Sequence, residues 1–132
     1  MMTVACATDD GSNFSEKHFG DAEGYKIFEV SGEGEKYLET MENITVSCIE
    51  RDEIHGDPVK AKHVMMLLKE KGVQVLINRK FGPNIQRIKI RFLPVITRKT
   101  NIEEGLLQIK ENLALLEDEY QRGANRKHIV LT

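Results

Sequence analysis

The feature that most constrains this chain is VQVLIN at residues 73–78, a continuous apolar run of the kind found in a parallel strand covered on both faces. A helix signal stands directly before it. Asp57 offers an acceptor to first-turn amides and Pro58 has no amide to leave unsatisfied. Ala61, Val64, Met65 and Leu68 recur on one helical face, and Gly72 supplies the stop. The spacing predicts a helix of about 14 residues, and a helix feeding a two-faced strand implies an α/β chain.

The flanking segments extend that unit. TVACATD at 3–9 suits a short buried strand that ends in a polar loop, and YKIFEVS at 25–31 with KYLETMENITV at 36–46 reads as a hairpin turned by GEGE. These three strands are expected to be antiparallel neighbours. SCIERDEIHGDP at 47–58 has no clear period and reads as a loop carrying Cys48 and His55. Beyond VQVLIN, Pro83 and Asn84 are placed to begin a short helix, and FLPVITR at 92–98 is a strand whose Pro94 suggests a sheet edge. Thr100 and Glu103 fit a capping box, followed by one long amphipathic helix marked by Ile102, Leu106, Ile109, Leu113, Leu116 and Tyr120. The segment GANRKHIVLT is expected to be loosely ordered, giving a single domain over 1–120 and a tail over 121–132. The order β, β, β, α, β, short α, β, α implies a mixed sheet, mostly parallel in one half, with helices on its faces.

Composition sets outer limits. A chain of 132 residues supports one core, and 40% apolar with 30% charged residues is ordinary for a soluble globular protein. The net charge of −2 gives no reason to expect nucleic acid or an anionic membrane as partner, so any basic patch has to be local. The opening MMTVACATDD lacks the basic start and long apolar core of a signal peptide, and no stretch approaches the ~18 apolar residues of a membrane span, so a cytoplasmic location is expected. Cys6 and Cys48 are then thiols, Cys6 as plain core packing.

In such sheets ligands gather outside the carboxyl ends of the parallel strands. Two unusual loops converge there, TDDGSNFSEKHFGD at 8–21 and NRKFGPN at 78–84. Within KHFGD, the plain reading makes Phe19 a core plug, Gly20 a turn and His18 bystander surface. The functional reading has Phe19 anchor the loop and Gly20 bend it, so that His18 is presented at the strand ends.

An apolar first strand ending in D-D-G, the loop HFG, a strand Y-x-I-F-E-V, a helix leading to G-V-x-V-L-I, and F-G-P-N, in this order over residues 3–119, together resemble the dinitrogenase iron-molybdenum cofactor biosynthesis family, which includes NifX, NafY and the C-terminal domain of NifB. The resemblance implies a ribonuclease H-like three-layer α/β/α fold whose five-stranded mixed sheet has the order 3-2-1-4-5 with strand 2 antiparallel. It also implies a non-catalytic accessory protein that binds an iron-sulfur or iron-molybdenum cofactor precursor and hands it to assembly or acceptor proteins, with His18, the histidine of HFG, as the leading cluster ligand. Many relatives carry a Gly- and His-rich loop before the first long helix; the equivalent stretch here is ERDEIHGD, with His55 alone.

The chemistry agrees with that implication. A carrier has to release what it holds, so one or two ligands suit it better than four thiolates. A neutral imidazole can occupy an open iron or molybdenum position, and Cys48 as thiolate could add a softer ligand if its loop folds toward His18. Lys17, Lys80, the Gly82 amide and the start of the helix after Pro83, at Asn84, would offset an anionic cluster, although both lysines read equally as solvated charges. Gly20 and Gly82 would admit close backbone approach or serve as turn glycines. His55, His63 and His128 read as surface. Two other readings stay open. One is a protein of the same fold without a cluster, acting as a regulatory or structural partner. The other is a metal-dependent nuclease using Asp9 and Asp10, which are better read as turn residues.

Overall fold

The computed structural model describes residues 1–43 and 58–132, the side chains of 58–62 excepted. Among the described residues, β1 (Met2–Thr8), β2 (Gly24–Ser31), β3 (Gly34–Glu42), β4 (Val75–Asn78), β5 (Leu93–Thr97) and β6 (Ile129–Leu131) form one sheet in the order β3-β2-β1-β4-β5-β6. β2 is antiparallel to both neighbours, and β1, β4, β5 and β6 run parallel. The helices are α1 (Pro58–Glu70), α2 (Ile85–Ile88), α3 (Ile102–Glu111) and α4 (Leu113–Tyr120).

Side-chain alternation along the central strands builds two cores. Val4, Cys6, Val75, Ile77, Leu93 and Val95 point to one face and meet Ile102, Leu106, Ile109 and Leu116 of α3 and α4. Ala5, Ala7 and Leu76 point to the other and meet Val64 and Leu68 of α1, Ile88 of α2 and Phe92. All four residues of β4 are buried, as expected of a strand covered on both faces. Helix α1 has 13 residues and ends at Gly72, whose φ of 76° is the left-handed conformation that terminates helices. Asp57, Cys48 and His55 lie outside the described residues.

Four expectations are corrected. The sheet has six strands, not five, because the segment expected to be loosely ordered supplies β6, paired to β5 through Val95↔Ile129, Ile96↔Val130 and Thr97↔Leu131. A three-residue strand is too short to show a period, and what fixes it is tertiary. Buried Arg126 donates from Nε (3.0 Å) and Nη2 (2.8 Å) to the Tyr120 carbonyl and from Nη1 to those of Lys89 (3.1 Å) and Phe92 (3.4 Å), with its guanidinium 4.5 Å from the Tyr120 ring centroid. β5 is therefore not the edge. Leu93 N donates to Gln74 O toward β4, so Pro94 turns its missing donor toward the β6 side, and β6 begins only opposite Val95. The cap of α3 is Asn101, whose side chain accepts from Glu103 N at 2.8 Å, and not Thr100, whose carbonyl accepts from Phe14 N. The single long helix is two, broken at Asn112 (φ −121°, ψ 19°), where the Asn side chain bonds the Gln108 carbonyl at 2.8 Å; the apolar stripe continues across the break through Leu113 and Leu116.

Arg126 carries a prediction. Arg126→Ala should lower unfolding free energy by about 2–3 kcal/mol by leaving the buried carbonyl of Phe92 and the partly buried carbonyls of Tyr120 and Lys89 without their charged donor, and Arg126→Lys, lacking the fork, should recover less than half. Urea unfolding of the three proteins measures it.

Candidate functional site

The long loop from β1 to β2 is tied down along its length. Asp10 Oδ1 accepts from the amides of Ser12 and Asn13 at 2.8 Å each, its Oδ2 accepts from Asn13 Nδ2 at 3.0 Å, and Gly11 N donates to Thr8 Oγ1 at 2.8 Å with Gly11 at φ 87°. The Asn13 and Ser12 amides, in that order, hold the Asp10 carboxyl at a pKa of about 2, down from an ordinary 3.8. Asp9 accepts from Ser15 Oγ and Glu23 N at 2.9 Å each. Both acids thus hold their own loop. Phe14 anchors its middle by lying against α3 where Gly105 has no Cβ; a methyl there would stand 2.4 Å from the ring.

The second half of the loop meets the loop after β4. Phe19–Asp21 forms a 3-10 turn, with Phe19 fully buried between Phe81 (5.2 Å between centroids, stacked at 3°) and Tyr25 (4.8 Å). Phe19 N donates to Lys80 O at 3.0 Å, and Asn78 Nδ2 donates to both Lys17 O (2.9 Å) and Lys80 O (3.1 Å). From the far side, Tyr25 Oη donates to Phe19 O at 2.7 Å, while Asn43 Nδ2 donates to Gly20 O and Ala22 O. Backbone on both sides of His18 is therefore pinned, and its side chain is left 50% exposed. The ring lies over Gly82, where an added Cβ would stand 3.2 Å from His18 Nδ1 and 3.4 Å from Asn84 Oδ1, and Asp21 Oδ2 is 4.0 Å from Nδ1.

The structure thus brings His18, Phe19, Gly82 and Asn84 together at the carboxyl ends of β1 and β4. Gly82 packs closely, and a side chain there would press on the His18 ring. Gly20 does not: a Cβ there would meet open space, and the 3-10 turn needs no left-handed backbone. Lys17 points to Asp9 and Glu23, each at 3.8 Å. The Lys80 side chain lines a separate cleft with Arg79 and Arg98. Asn84 begins α2, a helix of only four residues whose first amides bond Gly82 and Asn84 carbonyls. His63 and His128 are exposed, and Cys6 is buried, its thiol pushed up by desolvation. Sequence reasoning missed Asn78, Tyr25 and Asn43. Asn78 did leave a signal, a polar residue closing an otherwise buried run; it is fully buried, and its Oδ1 has no hydrogen-bond partner among the described residues.

Among the described residues no three His, Cys, Asp or Glu side chains converge as a metal cage. The donors gathered at this place are one imidazole and a carboxylate 4.0 Å from its Nδ1, an open set rather than a closed cage.

Asp10 predicts a pH effect. Its folded pKa is depressed, so the stability it contributes is present above its unfolded value near 3.8 and is lost as pH falls through about 2. Asp10→Asn should be less stable than wild type at neutral pH, and its stability should fall less steeply between those limits; parallel urea-unfolding slopes would contradict this.

No curated protein matches the chain. A family model described as dinitrogenase iron-molybdenum cofactor matches residues 1–112. That span holds β1 to β5 and both loops of the site, and on it the chain belongs to the dinitrogenase iron-molybdenum cofactor family.

Proposed function

We propose that this protein binds an iron-sulfur or iron-molybdenum cofactor precursor cluster at His18 and hands it on without catalysing a reaction. The observation that carries the reading is a half-exposed imidazole whose flanking backbone is pinned to two loops at the meeting point of β1 and β4. Ligands collect at this place in open α/β sheets, and the strand order and orientations support the ribonuclease H-like form expected for the family.

The cluster is cargo, which sets what the site has to do. One imidazole ligand gives a contact that exchanges, whereas four thiolates would retain the cluster. Asp21 Oδ2, 4.0 Å from Nδ1, lies beyond hydrogen-bond length but on the side from which a carboxylate supports a histidine that ligates through Nε2. Cys48 remains the proposed second ligand, contributed from outside the described residues. Of the two lysines expected to offset the cluster's charge, Lys17 lies 3.8 Å from Asp9 and from Glu23, and Lys80 lines the neighbouring cleft with Arg79 and Arg98. Assembly and acceptor proteins are the proposed partners. No helix among the described residues is long and apolar enough to cross a membrane, and the cytoplasm is the proposed location.

Anaerobic reconstitution with iron and sulfide, with and without molybdate, tests the reading. Wild type should keep a visible chromophore after desalting, while His18→Ala, with unchanged far-ultraviolet circular dichroism, should lose most of it and of its bound iron. A colourless wild type would move the partner-protein reading to first place, and equal colour in both proteins would remove His18 from the site.

A further inference from the structure

One strand away from His18, a cleft of about 420 Å³ opens at the carboxyl ends of β4 and β5. Arg79 and Lys80 leave β4 immediately after Asn78, and Arg98 leaves β5 immediately after Thr97; β4 and β5 are parallel neighbours paired at Asn78↔Ile96, so the three cations emerge from adjacent strand ends into one cleft. Among the described residues Glu16 is the only acid lining it. Among the described residues none of the three has an ion-pair partner, whereas Lys17, Lys71 and Arg122 each do. A local excess of positive charge in a chain of net charge −2 is a field directed at an anion.

The floor of the cleft is apolar. Ile96 and Val130 are paired across β5 and β6, and they project from the sheet face opposite Val95, which packs under α3 and α4. Neither residue belongs to a core cluster, and Val130 is 48% exposed, so no described helix covers this end of the sheet. The walls are held in place. The Lys80 carbonyl accepts from both Asn78 Nδ2 and Phe19 N, and Lys99 N donates to Thr97 Oγ1 at 3.1 Å beside Arg98.

We infer that this cleft is a binding site for a small organic polyanion, its apolar body on Ile96 and Val130 and its phosphate or carboxylate groups between Arg79, Lys80 and Arg98. Two guanidinium forks suit oxygen anions of either kind, and the volume is that of a small-molecule site rather than of a bare ion.

Calorimetric titration of the full chain with adenosine triphosphate, with trimesate as an aromatic tricarboxylate, and with pyrophosphate tests it. At least one of the first two should bind more tightly than pyrophosphate, and which of them wins assigns phosphate or carboxylate. Arg79→Ala and Arg98→Ala should each weaken the tighter ligand by about tenfold or more, the loss of one charge-assisted contact. Val130→Asp should weaken it as well, and Lys36→Ala on exposed β3 should not. Absence of binding by all three probes would overturn the inference. So would equal weakening by Lys36→Ala, or pyrophosphate binding as tightly as the others with Val130→Asp silent. The titrations contain no iron or sulfide, so their outcome is independent of the cluster reading.

Discussion

The side-chain amide of Asn78 is the contact on which the site depends. It sits at the buried end of β4, where the strand leaves the sheet, and its two hydrogens bond Lys17 O in one loop and Lys80 O in the other. Both carbonyls turn inward from exposed residues, and one amide donates to both. The geometry makes the two loops a single body. Phe19 N on Lys80 O and the stacked Phe19 and Phe81 rings add a second hydrogen bond and an apolar seal to the same junction.

Rigidity at that junction holds the backbone on either side of His18 in one place, which supports the role proposed for its ring. A side chain on a loop of this length would ordinarily sample many positions, and ordering it would tax any ligand it bound. Here the cost is met in folding. Phe14 fills the gap over Gly105, Asp10 caps the first turn, and Tyr25 and Asn43 hold the carbonyls after His18. The imidazole is left with its ring over Gly82 and one side open to solvent.

Much of the fold was legible because local signals and burial agreed. VQVLIN, the helix from Pro58 to its Gly72 stop, the hairpin and the mixed strand order all follow from period and turn chemistry. The misreadings share a cause in long-range contacts. β6 is held by a guanidinium reaching the carbonyls of Tyr120, Lys89 and Phe92, and a break at Asn112 is invisible to an apolar stripe that continues through it. At the site, Phe19 and Gly82 could be placed because an aromatic next to glycine in a polar loop is conspicuous. The alternatives at Lys17 and Gly20 stayed open because a lysine's partner and the space above a glycine are properties of the folded chain. Asn43 could not be placed at all, since Gly20, Ala22 and Tyr25, to which its side-chain amide donates, lie 18 to 23 residues away.

The central claim is that an imidazole presented by this junction ligates the cargo. The most direct measurement is pulsed electron paramagnetic resonance on the reduced, reconstituted protein grown with heavy-nitrogen histidine. The account predicts a hyperfine coupling to histidine nitrogen that persists when His55, His63 and His128 are all replaced by alanine, leaving His18 alone of the four histidines. A cluster signal with no histidine coupling, or a coupling that vanishes in that variant, would contradict it.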